Sequence, residues 1–291
     1  APDNTPGNKT LFSKSVARTL LAKIYAEKPL RDYTKVIQYC DEVKADGFDL
    51  VDDFSDLFGM NAAGTDAKMR NTKESILEAQ FTSGAGNWCT WMFGRDLVNW
   101  NNNFTWAKWV TPSRDLISAF KQEGDEVRFK ESIVYYDCNW SNYYPSDNYP
   151  FMYKCRSANS SIIKYRYADV LLLKAEALIM QDTPDLEGAA DIIDEVRDRA
   201  KLGALPTSVR SNKNAMLNAL LKERRLELAF EGQRWFDLVR LDKVEEVMNA
   251  VYAKDSGRKA QIYTFDKNSY RLPIPQSVID ANDKIHQNPG Y

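Results

Sequence analysis

Five of the seven tryptophans fall within 22 positions: Trp88, Trp91, Trp100, Trp106 and Trp109. Asn87, Asn99, Asn101, Asn102 and Asn103 are interleaved with them, and Arg95 and Asp96 lie in the same stretch. Flat aromatic rings offer apolar faces to the C–H face of a sugar, while amides, carboxylates and guanidinium groups hydrogen-bond its hydroxyls. A neutral ligand rich in stereochemistry needs that mixture more than it needs charge. The expected stacking residues are therefore Trp88, Trp91, Trp106 and Trp109, with Arg95, Asp96 and Asn101 as polar partners. Tryptophan is usually well buried, so most of these rings are expected to fill a small core beneath loops, with about one to three facing ligand. The same rings would stack on single-stranded bases, but no basic groove accompanies them. The net charge of −2 gives no electrostatic reason to expect nucleic acid or an anionic membrane surface.

Catalytic groupings are poorly represented. His286 is the single histidine and sits in a turn-rich tail, so neither a Ser-His-Asp nor a Cys-His arrangement can be nominated. Cys40, Cys89, Cys138 and Cys155 form no C-x-x-C, and no metal site or cofactor is expected. Cys138 and Cys155 bracket a Tyr/Pro/Asn-rich segment and could close a disulfide, a pairing that spacing alone does not fix. Gly84-Ala85-Gly86 lacks the third glycine and the preceding strand–helix unit of a dinucleotide loop. With 41 acidic residues a carboxylate pair for glycoside hydrolysis remains an alternative, but no pair stands out.

The elements that must position the aromatic stretch are helical. Residues 11–46 read as two helices, with stripes Val16/Leu20/Ile24 and Val36/Tyr39/Cys40/Val43, separated at Pro29 and stopped at Gly47. Leu172-Leu173-Lys174 with Asp194–Arg197, and Leu220-Leu221-Lys222 with Glu245–Val247, repeat the layout of Leu20–Lys23 with Asp41–Lys44. Three such pairs suggest tetratricopeptide-like stacking, against the alternative of an unrelated helical bundle. The stretch Glu223–Arg240 carries mixed charges three and four apart among many apolar residues. It reads as a buried scaffold helix with its charges in mutual pairs, turning at Gly232 into an aromatic corner at Trp235–Phe236.

Residues 48–160 interrupt this pattern. Phe48–Val51 and Ser75–Phe81 read as short strands or extended segments. Thr111-Pro112 starts a helix bearing Leu116, Ile117 and Phe120, with Pro in the first turn. Residues 135–153 add Tyr135, Tyr136, Trp140, Tyr143, Tyr144, Tyr149 and Tyr153. Long loops in an otherwise helical chain usually carry function. In the tail Tyr270–Tyr291, Pro273 and Pro275 enforce an extended chain, Ser277 is placed to cap a helical turn, and Asn288-Pro289-Gly290 makes a turn. The tail is expected to wrap over the scaffold and pin the end of the chain.

Four stretches together resemble the RagB/SusD family of outer-membrane glycan-binding lipoproteins of Bacteroidetes. They are Ala17–Tyr25 with Tyr33–Val43; Tyr165–Ala177; Glu223–Arg240; and the ending L-P-I-P-Q…Q-N-P-G-Y. The resemblance covers the later part of a family member. It implies a signal peptide, a lipidated cysteine and further helices ahead of it, so the lipid anchor lies outside this chain. It also implies a mainly α fold, a tetratricopeptide-like scaffold of helical pairs (an α-α superhelix) with a long, loop-rich aromatic excursion. The organisation expected is one domain over 1–291. Its parts are a helix pair (11–47), a loop-rich ligand face (48–160), a helical scaffold (161–251) and an extended tail (252–291). The implied function is non-catalytic capture of oligosaccharide or polysaccharide at the cell surface and delivery to a SusC-like, TonB-dependent outer-membrane porin. The alternative is a protein- or peptide-binding scaffold of the same surface complex. No single binding residue carries over by motif, so the site expectations rest on local chemistry.

Overall fold

The computed structural model describes residues 2–3, 7–82, 86, 110–139, 141–254 and 264–291. Packing divides the chain into two units, Ala1–Gln233 and Arg234–Tyr291.

In the first unit, α1 (Lys14–Ala26) and α2 (Tyr33–Ala45) form the first pair. Ser13 and Asp32 cap them by accepting from the Val16 and Lys35 amides. Gly47, at φ +90°, ends the second helix in a left-handed turn. The buried face of α1 is not the stripe Val16/Leu20/Ile24. Leu20 and Ile24 remain exposed, at 45% and 36%, whereas Ser15, Val16, Thr19, Ala22 and Ala26 are buried. Steps of four residues overshoot a helical turn by about 40° each, so the aliphatic stripe drifts off the contact face. The small residues that replace it allow close approach of helices. The second stripe is as expected: Val36, Cys40 and Val43 are buried, and Tyr39 packs on the same core.

Helix α3 (Ser55–Phe58) is followed by β1 (Ser75–Ala79), then α4 (Arg114–Glu123), α5 (Glu126–Ser132), β2 (Ile133–Tyr136), β3 (Tyr149–Met152) and β4 (Ile162–Arg166). Two two-stranded antiparallel sheets result, β1 with β4 and β2 with β3. Phe48–Val51 is a loop segment, while Ser75–Ala79 is a strand. In α4 the cap is Ser113, accepting from the Leu116 amide at 3.1 Å. Pro112 lies one residue outside the first turn, because Ser113 takes the capping position.

Helices α6 (Tyr167–Met180), α7 (Leu186–Arg199), α8 (Thr207–Arg210) and α9 (Lys213–Glu227) complete the first unit. Nearly all of α6 is buried, on every face, as its run of Ala, Val, Leu and Ile dictates. It is the axle of the core, packed on α1, α2, α7 and α9. The pairs α1–α2 and α6–α7 match the expected layout.

The stretch Glu223–Arg240 is two helices, not one. Helix α9 ends at Glu227, the chain turns through Phe230 (φ +65°) and Gly232 (φ +76°), and α10 (Arg234–Arg240) begins the second unit. The expected mutual pairing is realised by Asp237 and Arg240, 2.7 Å apart. The other charges reach across the fold. Glu227 accepts from Arg166 Nη1 at 2.5 Å, from Arg128 Nη1 at 3.0 Å and from Arg199 Nη2. Arg166 also bonds Glu74 and Glu231, Arg128 bonds Asp125 and Glu223, Lys154 bonds Glu231, and Arg197 bonds Glu223. Five acids (Glu74, Asp125, Glu223, Glu227, Glu231) thus face five bases (Arg128, Lys154, Arg166, Arg197, Arg199). Phe54 and Phe58 lie against the cations, with Lys154 Nζ 4.7 Å from the Phe58 ring and the Arg199 guanidinium 4.9 Å from Phe54. Burial alone would raise the Glu227 carboxyl; Arg199, Arg166, Arg128 and Lys154 outweigh it and hold it well below the carboxylate range. Asp169 is likewise lowered, burial being overcome by Lys23 at 2.6 Å and Arg224 at 2.8 Å.

The second unit contains α10, α11 (Val244–Lys254), a 3-10 turn at Lys267–Tyr270 and α12 (Gln276–Asp280). Phe265 packs its ring against Trp235 and Tyr252. The tail closes on itself: Gln287 both accepts from the Ile274 amide and donates to its carbonyl, and Asn288 donates to the Leu272 carbonyl at 2.6 Å. That is the physical reason for L-P-I-P ahead of Q-N-P-G-Y. Ser277 does not cap α12; Pro275 occupies that position without a side-chain bond. His286 is exposed.

Glu227→Gln strips charge from a buried carboxylate facing three arginines and is expected to cost about 3–5 kcal/mol in urea unfolding; a loss under about 1 kcal/mol contradicts the network's role. Glu227 and Asp169 are held below their ordinary values of 4.5 and 3.8, so the unfolded chain takes up protons first. Their stabilisation is complete at neutral pH and is lost as pH falls below about 4.5, which urea melts between neutral and acidic pH measure.

Candidate functional site

The residues expected to contact ligand, Trp88, Trp91, Trp106, Trp109, Arg95, Asp96 and Asn101, lie outside the described residues. What is described is the ground on either side of them. On the near side, Gly86 sits where a Cβ would come within 3.1 Å of the Ala158 Cβ, so a side chain there would crowd the 157–160 turn. On the far side, the Thr111 hydroxyl lies 3.4 Å from the Tyr149 hydroxyl, and the Pro112 carbonyl accepts from Tyr144 Oη at 2.7 Å.

Tyr144 and Tyr149 belong to a tyrosine cluster on the β2–β3 hairpin. The register pairs Ile133 with Met152, Val134 with Phe151, Tyr135 with Pro150 and Tyr136 with Tyr149. The pleat puts these rings on one face: Tyr136 meets Phe151 across the strands at 6.3 Å, and Tyr149 meets Phe151 two residues along β3 at 5.3 Å. In the connecting loop Tyr143 meets Tyr144 edge-on (4.9 Å, 88°), and Tyr144 meets Tyr149 edge-on (5.6 Å, 81°). The Arg114 guanidinium, from the first turn of α4, lies 4.0 Å from the Tyr143 ring and 4.8 Å from Tyr144, and donates to the Tyr143 carbonyl. Ser141 accepts from Tyr149 Oη at 3.2 Å. The loop closes through the Cys138 amide on the Ser146 carbonyl at 2.6 Å. Cys138 and Cys155 are not joined to each other; the loop is held by these hydrogen bonds and rings instead.

The hairpin is fixed at both ends by the Glu227 network. Arg128, in the helix that runs directly into β2, reaches Glu223 and Glu227. Lys154, two residues beyond β3, donates to the Glu227 carbonyl at 2.8 Å and to Glu231 at 2.6 Å. Burial lowers the Lys154 amine to about 8, with Glu231 opposing. Helix α4 is tied to α9 by Arg225 on Asp115 at 2.6 Å.

Two concavities flank the Tyr144–Pro145 wall. One, of about 440 Å³, is lined by Arg114, Lys121, Gln122, Tyr135, Tyr144 and Asn148, among others. The other, of about 810 Å³, is lined by Asn139, Ser141, Asn142, Tyr143, Tyr144 and Ser146 with Cys138 and Pro145. Both fall within the range of small-ligand sites, about 300–1,000 Å³. Aromatic faces beside amides and hydroxyls are the same chemistry expected of the tryptophan stretch. No network residue lines either concavity. The tyrosines of 135–153 stand out in the sequence by composition, but no site residue is expected among them from sequence alone, nor are Arg114, Lys121 or Gln122. The available signal was the spacing 114, 118, 121, 122, which places one polar face along α4.

Helical pairs carrying a loop-borne aromatic surface define a tetratricopeptide-like fold. The SusD family model matches residues 144–291, just over half of the chain, and the chain belongs to that family. Two SusD-like proteins of Formosa agariphila are similar in sequence. P38 is 42% identical over 99 residues, covering 32% of this chain and 19% of that protein. P2 is 35% identical over 143 residues, covering 47% and 27%. Among solved structures, a SusD superfamily protein from Parabacteroides distasonis aligns with TM-score 0.73 at 23% identity, over 97% of this chain and 64% of that one. A laminarin-binding SusD-like protein aligns with TM-score 0.71 at 24% identity, over 100% and 65%. Surface glycan-binding protein A from Bacteroides thetaiotaomicron, in complex with laminarihexaose, aligns with TM-score 0.74 at 18% identity, over 98% and 66%. The chain thus spans less than two thirds of the first of these solved relatives and under a third of the curated ones.

Arg114→Ala removes the cation packed on Tyr143 and Tyr144 and is expected to cost about 1–2 kcal/mol. Faster hydrogen exchange should appear in 141–149, with α6 amides unaffected; unchanged exchange in the loop contradicts its anchoring by Arg114.

Proposed function

We propose that this chain is the ligand-bearing part of a non-catalytic glycan-binding lipoprotein at the outer-membrane surface, passing oligosaccharide to a SusC-like, TonB-dependent porin. One observation carries the reading of the site. An edge-to-face tyrosine cluster, braced by Arg114, borders two concavities lined with amides and hydroxyls. Sugars present alternating C–H faces and hydroxyl rims, which such a surface matches without a reacting group. Family membership supports the same reading, as do structural relatives described as binding laminarin and laminarihexaose. Binding without turnover is favoured because Glu74, Glu223 and Glu227, three of the buried acids, are each neutralised by arginine. We take the whole of 1–291 as one functional domain, with Trp88, Trp91, Trp106 and Trp109 stacking on sugar and Arg95, Asp96 and Asn101 bonding its hydroxyls.

A protein contact is favoured elsewhere, on the helical scaffold, where Leu20 and Ile24 of α1 and Leu30 stand exposed.

Calorimetric titration with an oligosaccharide panel tests the reading. Tyr143→Ala with Tyr144→Ala should weaken a bound glycan about tenfold, with helical content unchanged. Absence of binding to any oligosaccharide by the full-length protein sinks the reading.

A further inference from the structure

The charged side chains lining the smaller concavity are both cations, Arg114 and Lys121. The acids nearest to them in the chain are engaged elsewhere. Asp115 is held by Arg225 at 2.6 Å, and Glu123 by Arg197 at 2.7 Å and by Lys222. Arg114 is fixed in place by the Tyr143 and Tyr144 rings and the Tyr143 carbonyl. Lys121 is exposed, and its ammonium has no hydrogen-bond or ion-pair partner among the described residues. The same holds for the Tyr135 hydroxyl and the Asn148 side-chain amide, which line the same wall. Burial pushes the Tyr135 hydroxyl upward, so it stays a hydrogen-bond donor at neutral pH. The larger concavity differs in kind: among the described residues, Asn139, Ser141, Asn142 and Ser146 give it hydroxyls and amides and no charged side chain. The two share Tyr144 and Pro145 as a common wall.

A cationic compartment beside a neutral one, with an aromatic ring between, fits a chain of sugars that carries negative charge. We propose that the glycan this protein captures is acidic. Its carboxylate- or sulfate-bearing pyranose sits in the α4 compartment against Lys121, Arg114, Tyr135 and Asn148, and neutral rings follow past Tyr144 toward Asn142. The inference rests on the glycan-binding reading and adds the substrate class. Carboxylate and sulfate ester share the recognising chemistry, a planar or tetrahedral anion accepting from an ammonium and a phenol.

The test is calorimetry on the full chain with four probes: an oligogalacturonate, a sulfated galactan oligosaccharide, laminarihexaose, and sodium sulfate alone. At least one acidic oligosaccharide should bind more tightly than the neutral one in dilute salt. The advantage should shrink as ionic strength rises toward about 0.3 M. Lys121→Gln should weaken the acidic ligand about three- to tenfold and leave the unfolding midpoint unchanged, since the side chain is exposed and has no partner among the described residues. Which acidic probe binds separates carboxylate from sulfate ester. Neutral binding as tight as acidic, or no effect of Lys121→Gln on an acidic ligand, overturns the inference while leaving glycan binding intact. Inorganic sulfate binding as tightly as the oligosaccharide also overturns it, by reducing the compartment to an anion site. Failure of every oligosaccharide overturns this inference and the glycan reading together.

Discussion

Glu227 has no access to water, and three arginines from three different parts of the chain converge on it. Arg128 comes from the helix ahead of the β2–β3 hairpin, Arg166 from the end of β4, and Arg199 from the end of α7. Desolvating so many charges is costly, and a lone buried ion would not persist. The arrangement is stable because acids and bases alternate in balanced number and because carbonyls add further acceptors, as the Glu227 carbonyl does for Arg166 and Lys154. Such a cluster is intolerant of displacement. Moving any segment by an ångström leaves a buried charge unpaired, so the cluster acts as a positional lock on loops that otherwise have little helical support.

The lock matters for function because of where the hairpin is fastened. Arg128 and Lys154 flank β2–β3 and end on the same short segment of α9 and its following turn. The strands between them carry the tyrosines, and the loop at their tip carries Tyr143 and Tyr144. Scaffold and ligand surface are therefore joined through charge, while their chemistry stays separate. The carboxylates of the network are saturated by cations, and the surface that faces the concavities is aromatic, amide and hydroxyl. This division of labour fits the proposed capture of a glycan without turnover.

Much of this was legible in the residues. The helix pair at 14–45, the buried α6 and the tail motif follow from caps, periodicity and proline placement, which are local properties. Glu223–Arg240 was recognisable as scaffold, but its pairing was not. Charges three and four apart satisfy a local rule, whereas Glu227 and Glu231 pair with residues 28 to 99 positions away, which no spacing reveals. The stripe on α1 misleads for the opposite reason: Leu20 and Ile24 are the large aliphatic residues, while the contact face is made mostly of Ser, Thr and Ala beside Val16. The tyrosine loop was visible as unusual composition. Arg114 and Lys121 were not visible as part of it, since a charged helix face is ordinarily just solvated and only the fold brings α4 against the hairpin.

The central claim is that ligand meets the protein at the loop-borne aromatic surface and not on the helical pairs or at the buried network. A crystal structure of the chain with a calorimetrically verified oligosaccharide measures this directly. The account predicts sugar rings against Tyr143, Tyr144 and Pro145, in contact with the 87–109 tryptophan stretch, and Glu227 still bound by its three arginines. Sugar lodged along the faces of α1, α2 or α7, or in contact with Glu227 or Glu231, would contradict it.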